Sequence, residues 1–134
     1  MEYKEFINQI ANTAKRAYDL NLISRKHGLA ALIDAIDQHG IKSRDIFEYG
    51  IRLVIDDYHP ETVNFILSNI IQTEENETAR RLGVIKKEAV LCIHKELNSW
   101  LLLSAIFALT SSDELKDVKN ILGNAAFSDF FEVY

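Results

Sequence analysis

The chain has 134 residues, of which 48% are hydrophobic and 26% charged, a balance that excludes disorder and fits one domain of ordinary size. A formal charge of −5 without a basic stripe excludes the electrostatic footprint of a nucleic-acid binder. The lone cysteine, Cys92, excludes an internal disulfide and a CxxC zinc pair, and five Gly with one Pro favour long helices over a many-turned β fold.

Helix one is predicted over residues 3 to 19, with Phe6, Ile7, Ile10, Ala11, Ala14, Ala17 and Tyr18 on one stripe near period 3.6. Helix two is predicted from 22 to 38, with Leu29, Leu32, Ile33 and Ile36 inward and Gly40 as its C-terminal cap. Helix three follows Ser43 as N-cap and runs to Tyr58, burying Phe47, Ile51, Val54 and Ile55. Pro60 suits the first turn of helix four, which carries Val63, Ile66, Leu67, Ile70 and Ile71.

Residues 74 to 81 are polar all round, either a solvated helix or a short break, with Glu77 and Arg81 at pairing distance. Helix five spans Ile85 to Leu97, and helix six is the apolar run Trp100 to Leu109. That run is too short to cross a bilayer and reads as a buried helix. Ser111 and Glu114 make a capping box opening a short helix that Gly123 closes. The aromatic tail, Phe127, Phe130, Phe131 and Tyr134, is expected to dock on the core; left exposed, it is a candidate partner site.

Residues 50–60 can be laid on residues 89–99: each block ends a helix in polar residues, passes a short turn and opens an apolar helix. The expected fold is therefore all-α, a compact bundle of about six to seven helices built from two stacked helical hairpins. Residues 1–134 would form a single domain: an N-terminal helical pair to 40, hairpins at 43–72 and 84–110, and a C-terminal helix with its tail at 111–134.

Chemistry-bearing patterns are sparse. The histidines at 27, 39, 59 and 94 have no metal-ligand spacing between them. Cys92 and His94 lie about 200° apart on a helix and cannot hydrogen-bond directly. No glycine cluster forms a phosphate loop, and Asp34 and Asp37 read as a solvated face. The expectation is no metal, no cofactor and no catalytic residue. With no signal peptide visible, the expected location is the cytoplasm.

Two blocks carry a family resemblance. Residues 24–33, Ser-Arg-Lys-His-Gly-Leu-Ala-Ala-Leu-Ile, resemble the A-R-R-E-G-L-L-A-L-E segment of the flagellar stator protein MotA, and residues 47–61 resemble that family's G-L-Q-L-V-V-D-G-x-D-P-E turn between two cytoplasmic helices. Residues 89–109 look like its later cytoplasmic helix pair. The family's membrane helices have no counterpart here, so ion conduction is not implied. The resemblance implies a protein-binding module that meets a flagellar rotor or motor component through charges, with the basic residue of the first motif at Arg25.

The motif's closing acid falls on Ile33, so one side of that charge complementarity is lost and a changed partner is implied. Candidate partner-binding residues are Arg25, Lys26, Arg44 and Arg52 on helix faces, Ile33 as core or dimer contact, and Phe130 and Phe131 in the tail. Arg25, in line with Leu29, Leu32 and Ile36, is expected to cap the apolar stripe of helix two, either as a core-edge residue or as an interface anchor. A shorter likeness links residues 59–68 to the E-H-P-Q-T-I-A-x-I-L-S helix of the rotor protein FliG. The alternative is a generic helical adaptor, or a homo-oligomer that buries its tail aromatics between subunits.

Overall fold

A computed structural model describes residues 1–123 and 125–133, the side chains of 125, 126 and 133 excepted. The described residues are all-helical, with eight α-helices and one 3-10 segment against the six to seven helices expected. The additional elements come from the stretch after Gly28, which breaks into short pieces, and from the tail, which is itself helical.

Helix α1 runs over Tyr3–His27, well past the predicted end at 19, and no helix spans 22 to 38. Leu20, Asn21 and Ser24 continue the buried stripe of Ile10, Ala14 and Ala17; two of the three are polar, which hid the continuation. Gly28 stops α1 at φ 89, where its N–H bonds the Ser24 carbonyl at 2.7 Å. Beyond it, Leu29–Asp34 form the 3-10 segment, which buries Leu32, and α2 is only Gln38–Lys42. Gly40 is therefore not a C-cap. It lies inside α2, where a Cβ would sit 2.8 Å from Glu48 Cγ.

Helix α3 (Ile46–Ile55) is capped by Asp45, not Ser43, and ends before Tyr58. Helix α4 (Pro60–Gln72) starts at Pro60 as expected and buries Val63, Leu67 and Ile71. The polar stretch divides: 73–76 is the break, and α5 (Glu77–His94) begins behind the cap Asn76. Helix α5 packs against α1, α3, α4 and α6 and buries Leu82, Ile85, Ala89, Val90, Leu91, Cys92 and Ile93. Close approach to it uses glycine: a Cβ on Gly50 would lie 2.8 Å from Val90 Cγ2. Helix α6 (Ser99–Phe107) follows, then α7 (Ser112–Leu122) with its capping box in place, then α8 (Ala125–Val133).

The two blocks aligned in sequence close their helices in the same way. Asp57 (φ 66) ends α3 and Glu96 (φ 55) ends α5, each with the next residue's N–H reaching back five positions, Tyr58 to Leu53 and Leu97 to Cys92. Arg44 (φ 58) repeats this after α2, with Asp45 bonded to Gly40. All three are Schellman closures carrying a charged residue where glycine is usual, each followed within two residues by a capping side chain that starts the next helix.

Polar ties fasten the helices across the chain. Arg16 on α1 donates to both Glu48 oxygens (2.8 and 3.1 Å) and to the Ala35 carbonyl (2.6 Å), and Glu48 also accepts the Asp37 N–H. Arg81 does not pair with Glu77. It grips Glu114 with both amino nitrogens (2.8 and 2.7 Å) and lies over the Phe6 ring at 5.0 Å. Lys86 bonds Asp45 at 2.7 Å, and the Tyr3 hydroxyl donates to Asp117 at 2.5 Å, which pushes the phenol up to about 12.

Candidate docking surface

The end of α1 is held against the α5–α6 turn by Asn21, whose buried Nδ2 donates to the Leu97 carbonyl (3.1 Å) and to Ser99 Oγ (3.3 Å). That contact draws the last turns of α1 and the first turn of α6 to one end of the molecule. Leu22 is 46% exposed there, Trp100 41% and Leu101 52%. Arg25 and Lys26 follow Leu22 by three and four positions, one turn further along the same surface. Both are exposed, and with His27 they place cations at the helix C-terminus, where the macrodipole favours them. Exposed apolar side chains rimmed by charge are the usual makings of a protein contact.

Below this end an aromatic cluster pins α8 to the body. Trp100 meets Phe130 edge-on at 5.4 Å, Phe107 touches Phe130 and Phe131, and Tyr18 touches Phe127 at 5.3 Å. Lys119 lies over Phe131 at 5.4 Å. Phe127 and Phe130 are buried within the chain itself and Phe131 is half-buried, so the tail docks. Tyr134, its last aromatic, lies outside the described residues. Beside the cluster runs an apolar groove of about 350 Å³ between α6, α7 and α8, lined by Ser104, Phe107, Ala108, Leu115, Phe130 and Phe131.

The remaining candidates stand elsewhere. Ile33 is 41% exposed on the 3-10 segment, and Arg25 is not in line with Leu29, Leu32 and Ile36, because no single helix joins them. Arg44 sits exposed in the α2–α3 turn, beside a polar-rimmed pocket of about 370 Å³ that Arg80 and Lys86 also line. Arg52 is paired with Asp56 on its own helix at 3.2 Å. Arg44 precedes α3, whereas Arg52 lies in its last turns. Arg25 and Lys26 thus share one end with exposed apolar residues, and Arg44 and Arg52 do not join each other in one cluster.

Leu22, Trp100 and Leu101 were not legible as surface. The 100–109 run reads as core throughout, whereas only Leu102, Leu103, Ile106 and Phe107 are buried. The spacing of that buried set, at i, i+1, i+4 and i+5, is the signal that leaves 100 and 101 outside.

Among the described residues no group of three His, Cys, Asp or Glu comes together to hold a metal, and no helix is long and apolar enough to cross a membrane. Burial pushes the Cys92 thiol up, away from the thiolate form that reacts. No known protein family, curated protein or solved structure matches the chain.

Proposed function

We propose that the chain is a non-catalytic protein-binding module, similar to the soluble part of a flagellar stator, that works in the cytoplasm and docks a motor component. The observation that carries this reading is the exposed set Leu22, Trp100 and Leu101 beside Arg25 and Lys26. Residues 47–61, which bear the resemblance, form α3, a tight turn and the start of α4, and residues 89–109 run from α5 through a like-built turn into α6. In this reading the two helix pairs are stacked hairpins serving as a rigid scaffold for the docking end.

The test is a pull-down of rotor proteins at low salt by the wild-type chain, the double reversal Arg25→Glu/Lys26→Glu, and Trp100→Ala. Binding that both variants lose, with melting temperatures within a few degrees of wild type, supports the interface. Recovery of no rotor protein by the wild-type chain overturns the motor link. A second reading, an adaptor with no motor role, is favoured by Ile33: an exposed apolar side chain stands where the stator motif carries an acid, which suits a different partner.

A further inference from the structure

The pocket beside Arg44 lies where three stretches of chain meet: the α2–α3 turn, the end of α4 with the turn after it, and the first turns of α5. Its volume, about 370 Å³, suits one small molecule. Ile71 and Leu82, both buried, lie at its floor with the half-buried Ile46 and Ile70. Arg44 and Arg80, both exposed, stand at its rim.

The charged side chains of the lining are unequally engaged. Lys86 is bound to Asp45 Oδ1 at 2.7 Å, so those two cancel. Arg80 is held by backbone: its Nε and Nη2 donate to the Glu74 carbonyl at 3.1 and 2.9 Å, and Nη2 reaches the Glu75 carbonyl at 3.5 Å. Carbonyls orient a guanidinium without neutralising it, and these bonds leave both hydrogens of Nη1 unused. Among the described residues neither Arg44 nor Arg80 has a carboxylate within ion-pair distance. Glu74 is the carboxylate that remains, its Oε1 accepting the Asn76 N–H at 3.0 Å. The pocket therefore keeps a positive balance on a chain whose formal charge is −5. It opens beside the first turn of α5, whose positive end adds to that field.

We propose that this pocket binds a small phosphate monoester, its anionic head between Arg44 and Arg80 and its apolar body on Ile46 and Ile70. A phosphate monoester carries a charge of about −1.5 to −2 near neutral pH and three acceptor oxygens, which two guanidinium forks match in both charge and shape. A carboxylate offers one charge and two oxygens, and inorganic phosphate leaves the isoleucines uncovered.

The test is calorimetric titration of the full chain with phenyl phosphate, inorganic phosphate and benzoate at about pH 7.5, where the ester is a dianion. Phenyl phosphate binds about tenfold tighter than either of the others, since each lacks one half of the match. Arg44→Gly suits the backbone at φ 58, and Arg80 is exposed; Arg44→Gly and Arg80→Gln each weaken phenyl phosphate about tenfold, the size of a lost charge-assisted hydrogen bond. Glu74→Gln keeps an acceptor for the Asn76 N–H and tightens binding about threefold by removing a repulsive charge. Arg52→Gln, whose arginine pairs with Asp56, leaves affinity unchanged. Melting temperature checks that each variant is folded, and Arg44→Gly carries the test alone if Arg80→Gln disturbs its turn. No binding by wild type up to about 10 mM, or equal binding by wild type and Arg44→Gly, overturns the site. A phosphotyrosine peptide that binds tighter than phenyl phosphate overturns the small-molecule occupant.

Discussion

Neutralising Glu114 is the sharpest test of how the helices are tied together. Its carboxyl is held at about 2 against an ordinary 4.5, first by the hydrogen bonds from Arg81, opposed by burial and helped by the Ser111 N–H. At about 1.4 kcal/mol per pH unit the full shift sets a ceiling of about 3 kcal/mol. The Arg81 side chain is 41% exposed, and solvent screening brings the expected contribution to about 1–2 kcal/mol.

Glu114→Gln removes the charge and keeps an acceptor for the Ser111 N–H, so the capping box survives. The sign follows from the lowered folded value. The stabilisation is present above about pH 4.5 and drains away as pH falls toward 2. Urea unfolding of both proteins is expected to show a gap of about 1–2 kcal/mol at about pH 7, shrinking by more than half by about pH 3. A double-mutant cycle with Arg81→Met assigns the gap to the pair. No gap at neutral pH, or one that holds its size down to about pH 3, refutes the reasoning.

Three further outcomes are expected. Glu48→Ala strands the Arg16 guanidinium and the Asp37 N–H; it costs about 2–3 kcal/mol in denaturant unfolding and speeds amide exchange at Asp37 more than in α4. Gly50→Ala forces a methyl to within 2.8 Å of Val90 Cγ2 and 3.0 Å of Leu67 Cδ1. The cost is about 1–3 kcal/mol, and Val90→Ala in the same chain recovers part of it. Glu96→Gly relieves a charged residue from φ 55 and raises stability by about 0.5–1 kcal/mol, read as a higher melting temperature.

Signals that act within a turn or two were legible in the sequence. Pro60 and the Val63, Leu67, Ile71 series fixed α4, and Ser111 with Glu114 fixed the start of α7, because caps and periodicity are settled by neighbours along the chain. The likeness of residues 50–60 to 89–99 was legible as a helix, a short turn and an apolar helix, but their shared turn closure was not, because Asp57 and Glu96 stand where glycine would mark it. The all-helical class follows from the same local rules.

Where a decision needed a partner far along the chain, the sequence alone was silent. Asn21 fell in the gap expected between two helices and Ser24 in the second of them; buried polar side chains with partners such as Leu97 kept α1 going to His27. Glu77 was the near partner for Arg81, but Glu114, 33 residues away, offered two oxygens in a shielded site. The docking end has the same origin. Arg25 and Lys26 were visible as charges, but the exposure of Leu22, Trp100 and Leu101 beside them depends on where α8 lies over α1 and α6. Hydrophobicity says that a side chain gains by leaving water, and only the placement of the other helices decides which ones are left without cover.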